Sequence, residues 1–205
     1  MDDKSWPAPI HWDPLSTESL AAYICWHFES QEVHRFDQNS PARFEGAGLY
    51  AIYYLGSSVD LYLPLAGTSI PLYVGSAMSH NSATGLGTRS TAPLHARIKI
   101  HHKSISSTAD LPITEFGVRR LLLPDVHIRL GENALRVNYT PVWNSVLTGF
   151  GSNEQGSSTR QGQRTKWDTV HPGRSRSYGE DKRSREILAE EVRTRIKEQV
   201  SPDGI

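Results

Sequence analysis

The stretch Gly48-Leu49-Tyr50-Ala51-Ile52-Tyr53-Tyr54-Leu55, followed by Pro71-Leu72-Tyr73-Val74-Gly75, decides the fold of this chain. Both runs are apolar, rich in aromatic and branched residues, and bounded by Gly or Pro, which is typical of paired strands. Turn-forming residues lie between them at 56–58 and 67–69. If the strands pair antiparallel, the phenols of Tyr50 and Tyr73 can face one pocket. The alternative is that both are core aromatics with solvated hydroxyl groups.

Further elements are predicted on both sides of this strand pair. Apolar residues at helical or strand spacing predict helices at 13–31, 93–102, 125–139 and 186–200, and a third strand at 111–123. In the first helix the apolar stripe contains Leu20, Tyr23, Ile24 and Phe28, and Ser16 or Thr17 can cap its start. The polar segment 34–43 and the Gly- and Ser-rich segment 76–92 are predicted to be irregular.

The helix at 93–102 carries two residues of chemical interest. Thr91 is a plausible N-cap, and Pro93 suits the first turn. Arg97 and His101 are four residues apart and therefore share one helix face. Glu132 lies on the next predicted helix, although Gly131 weakens that helix by about 1 kcal/mol relative to alanine.

The order of these residues resembles the GIY-YIG nuclease superfamily. The resemblance rests on Gly-Leu-Tyr at 48–50, Tyr-Val-Gly at 73–75, Arg-x3-His at 97–101, and then Glu132 and Asn144. Pro-Val-Trp-Asn at 141–144, Gly-Phe-Gly at 149–151 and Trp-Asp-x-x-His-Pro-Gly-Arg at 167–174 resemble the type II restriction endonucleases of that superfamily that cut at CCGCGG. The resemblance covers roughly residues 42–174.

The resemblance implies an α/β fold with a small three-stranded, mainly antiparallel sheet flanked by helices. We expect a single domain over 1–205. Its GIY-YIG core lies at about 44–150, its N-terminal helical extension at 13–31, and its C-terminal DNA-contacting and helical extension at 151–200. The function implied is sequence-specific cleavage of double-stranded DNA at a palindromic, GC-rich site.

The resemblance also implies a catalytic set: Tyr50, Tyr73, Arg97, His101, Glu132 and Asn144. Cutting a phosphodiester requires an activated water and stabilisation of the charge that develops on the phosphate. Tyr50 would abstract or relay the proton of the attacking water, and His101 would help to deprotonate Tyr50 or pass its proton on. Tyr73 would orient water or phosphate through its hydroxyl group.

The remaining catalytic residues are implied to bind the phosphate or the metal ion, or to orient a residue that does. Arg97 would hold the scissile phosphate with its forked guanidinium. Glu132 would bind one divalent ion, Mg²⁺, because hard oxygen ligands suit that ion. Asn144 would orient Glu132 or bind the backbone through its amide.

One position departs from the family pattern. Many relatives carry a lysine directly after Tyr-Val-Gly, where it can lower the pKa of the first tyrosine, but here the residue is Ser76. An unperturbed tyrosine has a pKa of about 10 and is a poor base at neutral pH. The metal charge, Arg97, Lys99 or His101 must then assist Tyr50, or the site is slower.

Charge is distributed unevenly along the chain although the net charge is zero. Residues 1–62 have a balance of −6, whereas 89–120 and 160–185 have balances of +4 and +5. A polyanion would therefore meet the centre and the C-terminal third. The predicted DNA-binding residues are Arg160, Arg164, Lys166, His171 and Arg174. A structural Pro-Gly turn is the alternative for the last two.

Composition narrows the remaining classes of protein. No run of about 18 apolar residues is present, so we expect no membrane span. The N-terminus lacks a basic region followed by an apolar one, so we expect no secretory signal and a cytoplasmic location. The single Cys25 cannot form an internal disulfide or a Cys-rich zinc site.

A palindromic target implies a homodimer, because each chain offers one catalytic set. The apolar insertion at 61–65 and the helix at 186–200 are candidate interface elements, although either can pack on its own subunit. The resemblance also implies a cognate DNA methyltransferase in the host. Two alternatives stay open: a repair or mobile-element nuclease of the same superfamily, and a DNA-binding module of the same fold without catalytic activity.

Overall fold

A computed structural model describes residues 13, 16–80, 84, 86–87, 90–151, 164–174 and 183–201 of the 205-residue chain. Its sheet has four antiparallel strands in the order β1-β4-β2-β3, namely β1 His34–Arg35, β2 Gly48–Tyr54, β3 Tyr73–Ala77 and β4 Phe116–Leu122. The α/β fold and the antiparallel β2–β3 pair are confirmed. The predicted count of three strands was wrong, because the sheet has a fourth strand, β1. This edge strand has only two residues, both polar and exposed, so the sequence has no apolar run there to indicate a strand.

The helices in the described residues are α1 Thr17–Glu29, α2 Pro93–Ser106, α3 Asp125–Tyr139, α4 Val142–Ser145, α5 Lys166–Val170 and α6 Arg185–Val200. The predicted bounds of α3 are confirmed, whereas α2 continues beyond its predicted end at 102. None of these described helices combines the length and apolar character needed to cross a membrane.

The ends of several elements differ from their predictions. Asp13, rather than Ser16, accepts a hydrogen bond of 2.7 Å from the Thr17 amide at the start of α1. Ala92, rather than Thr91, precedes α2 as its N-cap residue. The predicted strand at 111–123 is shorter, since Ile113–Glu115 form a 3-10 turn before β4.

Strand β2 is buried on both faces, which explains its unbroken apolar run. Helices α1 and α3 cover the face that carries Leu49, Ala51 and Tyr53, and α2, α4 and α6 contribute to the core on the other face. Gly131 allows α3 to lie close to the sheet, because a Cβ atom there would be 2.6 Å from Leu49 Cδ1. This close packing accounts for a glycine inside a helix.

Two predicted apolar positions need correction, and two elements take the alternative that the sequence left open. Tyr23 was placed in the apolar stripe of α1, but its side chain is 59% exposed. Both candidate interface elements pack on their own chain: Tyr62 and Leu65 of the insertion are buried, and the insertion contacts α6. Helix α6 buries Leu188, Val192 and Ile196, although Ile187, predicted on the same face, is exposed.

Candidate active site

The two predicted tyrosines lie side by side on one face of the β2–β3 pair. Tyr50 pairs with Gly75 and Ile52 pairs with Tyr73, so both phenols project to the same side of the sheet. Their ring centroids are 6.0 Å apart. A Cβ atom at Gly75 would lie 2.4 Å from the Tyr50 hydroxyl, so the phenol can cross β3 only where that residue is glycine.

Helix α2 brings His101 into contact with Tyr50. The distance between His101 Nε2 and the Tyr50 hydroxyl is 2.6 Å, and neither residue has exposed surface. His101 Nδ1 has no hydrogen-bond partner among the described residues. In the tautomer with its proton on Nδ1, His101 accepts a hydrogen bond from the Tyr50 hydroxyl at Nε2. Burial lowers the pKa of His101 well below its usual value, and the nearby charges of Arg97 and Arg174 act in the same direction.

The environment of the phenols holds both in their neutral form. Burial raises the pKa of Tyr50 well above its usual value, its proximity to Tyr73 raises it further, and the Arg97 charge opposes the rise. Burial also raises the pKa of Tyr73, against the opposing charges of Arg97 and Arg136 and the hydrogen bond with Tyr50. Tyr50 is therefore suited to relaying a proton rather than to acting as a standing phenolate.

Arg97 lies one helical turn before His101 and faces the same site. Its Nη2 donates to the carbonyl oxygen of Gly151. Its charge also opposes the rise in the pKa of both phenols.

Glu132 projects from α3 beside β3 and is held at both carboxylate oxygens. The Ser76 hydroxyl donates to Oε2 at 2.6 Å, and Arg136 Nη2 lies 2.7 Å from Oε1. The Glu132 side chain is 17% exposed. Ser76, the residue that departs from the family pattern, therefore contacts the predicted metal ligand rather than Tyr50.

Asn144 holds α4 against β3 at the residue next to Tyr73. Its Oδ1 accepts from the Val74 amide at 2.8 Å, and its Nδ2 donates to the Val74 carbonyl at 2.9 Å. The side-chain amide thus pairs with strand backbone instead of with Glu132. Two roles were predicted for Asn144, and this arrangement does not support the first, which is to orient Glu132.

The site opens into a cavity of about 410 Å³. Tyr73, Arg136, Asn144 and Gly151 are among its lining residues, whereas Tyr50 lies behind Tyr73 without exposed surface. A second cavity of about 350 Å³ adjoins it through the shared lining residues Thr148 and Gly149. The cations that line the second cavity are Arg164, Lys166 and Arg183.

The predicted DNA-binding residues fall into three groups. Arg160 lies outside the described residues. Arg164 and Lys166 line the second cavity, where their charges are next to the path into the active site. These two residues are therefore well placed for a polyanion.

His171 and Arg174 are buried, which does not fit their predicted contact with DNA. His171 Nε2 lies 2.5 Å from the Tyr62 hydroxyl, and its Nδ1 lies 2.9 Å from Asp110. Arg174 is 8% exposed and forms an ion pair with Asp168. Both residues belong to the packing of the C-terminal segment, as in the alternative of a structural turn.

Three contributors to the site were not predicted: Ser76 in the role described above, Arg136, and Phe150, whose ring stacks on His101 with centroids 4.5 Å apart. Arg136 follows Glu132 by four residues on one helix, a spacing that could have indicated the ion pair. Phe150 lies in a Gly-Phe-Gly stretch without periodicity, so its partner could not be read from the sequence.

The donor set fits a lightly held hard cation rather than a protein-caged metal. No group of three or more His, Cys, Asp or Glu side chains able to hold a metal occurs in the described part of the chain. Glu132 offers one carboxylate on a side chain that is 17% exposed, and Mg²⁺ can bind through a single carboxylate because that ion usually keeps several of its waters.

The sheet, the tyrosine pair and the helix with Arg97 and His101 together define a GIY-YIG nuclease fold. The family model described as the Eco29kI GIY-YIG domain matches residues 42–200, and the chain belongs to this family of restriction endonucleases. The match extends through α5 and α6, beyond the predicted core boundary at 150. A comparison with curated proteins gives no significant match.

Proposed function

We propose that this protein is a magnesium-dependent type II restriction endonuclease that cuts double-stranded DNA at a palindromic, GC-rich site, with CCGCGG as the proposed sequence. The observation that carries the proposal is the 2.6 Å contact between Tyr50 and His101. It lies in a site that also contains Arg97 and Tyr73. The choice of CCGCGG rests on the resemblance of the motifs at 141–174.

Proton transfer from the attacking water runs inward through the two phenols. Tyr73 lines the cavity, whereas Tyr50 has no exposed surface, so water meets the Tyr73 hydroxyl first. The proton then passes from Tyr73 through Tyr50 to His101 Nε2. A lowered pKa keeps His101 neutral at pH 7, so this nitrogen is available as an acceptor.

Two guanidinium groups would supply positive charge to the phosphate: Arg136, which lines the cavity, and Arg97, which contacts the lining residue Gly151. Arg97 presents a planar fork that matches two phosphate oxygens. Arg136 lines the same cavity from α3, and its side chain is 43% exposed. Arg136 thus supplies a cation close to the site in a chain that has Ser76 where many relatives have a lysine.

Glu132 would hold the magnesium ion, with Ser76 fixing one of its carboxylate oxygens. A bound divalent ion would polarise a phosphoryl oxygen and make a coordinated water more acidic. Arg136 balances the carboxylate charge at the other oxygen. The protein's own contribution is therefore a single oriented carboxylate beside the phenols.

The DNA backbone is proposed to follow the two adjoining cavities. One cavity leads from Tyr73 and Arg136 to Gly149, and the other leads from Gly149 to Arg164 and Lys166. Cations spaced along such a groove neutralise successive phosphates and make binding dependent on salt. These contacts would position the DNA without reading its sequence.

The active form is proposed to be a homodimer, with a cognate methyltransferase protecting the host DNA. One chain carries one catalytic set, and a palindrome presents two equivalent phosphates. Sedimentation with a cognate duplex in Ca²⁺ should give two chains per duplex. A one-to-one complex that cuts both strands in a single binding event would contradict the dimer.

The direct test is to digest a plasmid of known sequence and to sequence the ends. In Mg²⁺ we expect all ends to fall within one GC-rich palindrome, and in EDTA we expect no product. Ends scattered over unrelated sequences would reject the type II assignment. Failure to bind the plasmid in Ca²⁺, at low salt, would reject DNA as the substrate.

A further inference from the structure

The Trp-Asp-x-x-His-Pro-Gly-Arg motif at 167–174 ends in a buried arginine that makes specific contacts. Arg174 Nε and Nη2 donate to the two carboxylate oxygens of Asp168 at 2.6 and 2.8 Å. The guanidinium carbon lies 4.4 Å from the centroid of the Trp167 ring. Both partners of the ion pair have side chains that are only 5% exposed. This geometry fixes the plane of the guanidinium.

We term residues Gly149, Phe150 and Gly151 the wall segment, and the remaining donors of Arg174 hold the first two of them. Nη1 donates to the Phe150 carbonyl at 3.0 Å, and Nη2 donates to the Gly149 carbonyl at 3.3 Å. Gly149 has a φ of +106°, and a Cβ atom there would lie 2.3 Å from Thr165 Cβ. The wall segment is thus confined by the residues at 165–174.

The wall segment in turn contacts three proposed catalytic residues. The Gly151 carbonyl accepts from Arg97, and the Phe150 ring stacks on His101 with an interplanar angle of 22°. The Phe150 and Tyr73 ring centroids are 5.1 Å apart. A Cβ atom at Gly151 would lie 2.0 Å from the Tyr73 hydroxyl, so the backbone itself borders the phenol.

We propose that Arg174, oriented by Asp168, is a positioning residue that sets Arg97 and His101 in their reactive places through the wall segment. This inference rests on the proposed nuclease function and assigns the motif at 167–174 to the active site rather than to the DNA surface. Packing alone would not require a guanidinium, because an apolar side chain can fill a buried space without the cost of burying a charge. The fork supplies what packing lacks: donors aimed at a carboxylate and at two successive carbonyls.

The test compares Arg174→Met and Arg174→Lys with Ile196→Ala, a buried substitution in α6. All three variants are expected to unfold at lower temperature than the wild type, and assays are run below the lowest transition. Arg174→Met is expected to slow single-turnover cleavage about 100-fold, the loss that a misplacement of about 1 Å can cause. Arg174→Lys should recover only part of this loss, because an ammonium lacks the planar fork.

Binding to the duplex in Ca²⁺ distinguishes positioning from contact with DNA. For Arg174→Met we expect affinity and its salt dependence to stay at the wild-type values. Weaker binding with a flatter salt dependence would overturn the inference, because that result marks a phosphate contact. A cleavage loss no larger than that of Ile196→Ala would overturn it as well, because Arg174 would then only stabilise the fold.

A measurement without activity separates this inference from the proposed function. Imidazole NMR resonances of His101 should shift in Arg174→Met and remain in place in Ile196→Ala. Unchanged His101 resonances in Arg174→Met would overturn the positioning role, whether or not the protein cuts DNA. If the wild type cuts no DNA while the resonances shift as expected, the proposed function fails and the positional coupling stands.

Discussion

Two pairs of a carboxylate and an arginine, Glu132–Arg136 and Asp168–Arg174, show how burial separates a reactive pair from a supporting one. In the first pair Arg136 lines the cavity, the side chains are 17% and 43% exposed, and the carboxylate also accepts from Ser76. The second has side chains that are 5% exposed, and its arginine holds two backbone carbonyls. A ligand can reach the first pair, whereas the second is already fully engaged.

This difference in burial shows that residue type and motif alone do not indicate which pair contacts a substrate. Both pairs come from stretches that resemble the family, and both contain the groups that bind metals or phosphates. The greater exposure of the Glu132–Arg136 pair, and the position of Arg136 in the cavity lining, favour a direct role for it. Burial favours a role for Asp168 and Arg174 that is exerted through neighbouring residues.

Tyr50→Phe should cause a large loss of cleavage, because it removes the hydroxyl group that links the cavity to His101. We expect single-turnover cleavage to fall by about 10²- to 10⁴-fold, the usual contribution of a positioned proton-transfer group. Tyr53→Phe is the matched control, since Tyr53 lies on the same strand but in the core on the opposite face of the sheet. Equal rates for Tyr50→Phe and Tyr53→Phe would remove Tyr50 from the proton path.

Asp168→Asn and Glu132→Gln compare how much each carboxylate–arginine pair contributes to the free energy of unfolding. Asp168→Asn leaves the buried Arg174 charge without its partner and should lower the free energy of unfolding by about 3–5 kcal/mol. Glu132→Gln should change it by about 1 kcal/mol or less, because Arg136 remains solvated. Urea unfolding of both variants provides the measurement. Similar losses in the two variants would break the distinction between a supporting pair and a reactive pair.

Ser76→Ala tests whether the hydroxyl group orients Glu132. A hydrogen bond to a charged group contributes about 1.5–3 kcal/mol, so its loss should raise the Mg²⁺ concentration for half-maximal cleavage about 10- to 100-fold. Ser76→Thr keeps a hydroxyl group and should stay close to the wild type. An unchanged Mg²⁺ requirement in Ser76→Ala would show that Glu132 does not need this contact.

The buried histidines predict a loss of stability on mild acidification. Burial lowers the pKa of His101 and of His171 in the folded protein. Below about pH 6.5 the unfolded chain protonates both while the folded protein does not, so the unfolded state binds more protons. The free energy of unfolding should then decrease by up to about 1.4 kcal/mol per pH unit for each histidine. Urea titrations from pH 7.5 to 5.5 should show a smaller slope in His101→Gln, and an equal slope would contradict this account.

Regular elements made much of this molecule predictable. Unbroken apolar runs bounded by glycine or proline locate the β2–β3 pair, and one helix face brings Arg97 and His101 together. Contacts between distant segments were not predictable. Ser76 and Glu132 are 56 residues apart, and a serine can form a hydrogen bond with many kinds of group, so the sequence does not indicate this partner. The burial of His171 and Arg174 also depends on distant elements, the insertion with Tyr62 and the wall segment, so the basic motif was assigned to DNA.

The central claim is that the cluster around Tyr50, His101 and Glu132 hydrolyses DNA, and Glu132→Gln tests it most directly. The wild type and the variant are compared on one cognate duplex, with binding measured in Ca²⁺ and single-turnover cleavage measured in Mg²⁺. We expect the variant to bind like the wild type and to cut slower by about 10³-fold, as when a major electrostatic contribution is removed. Cleavage by Glu132→Gln at the wild-type rate would contradict the assignment of this site.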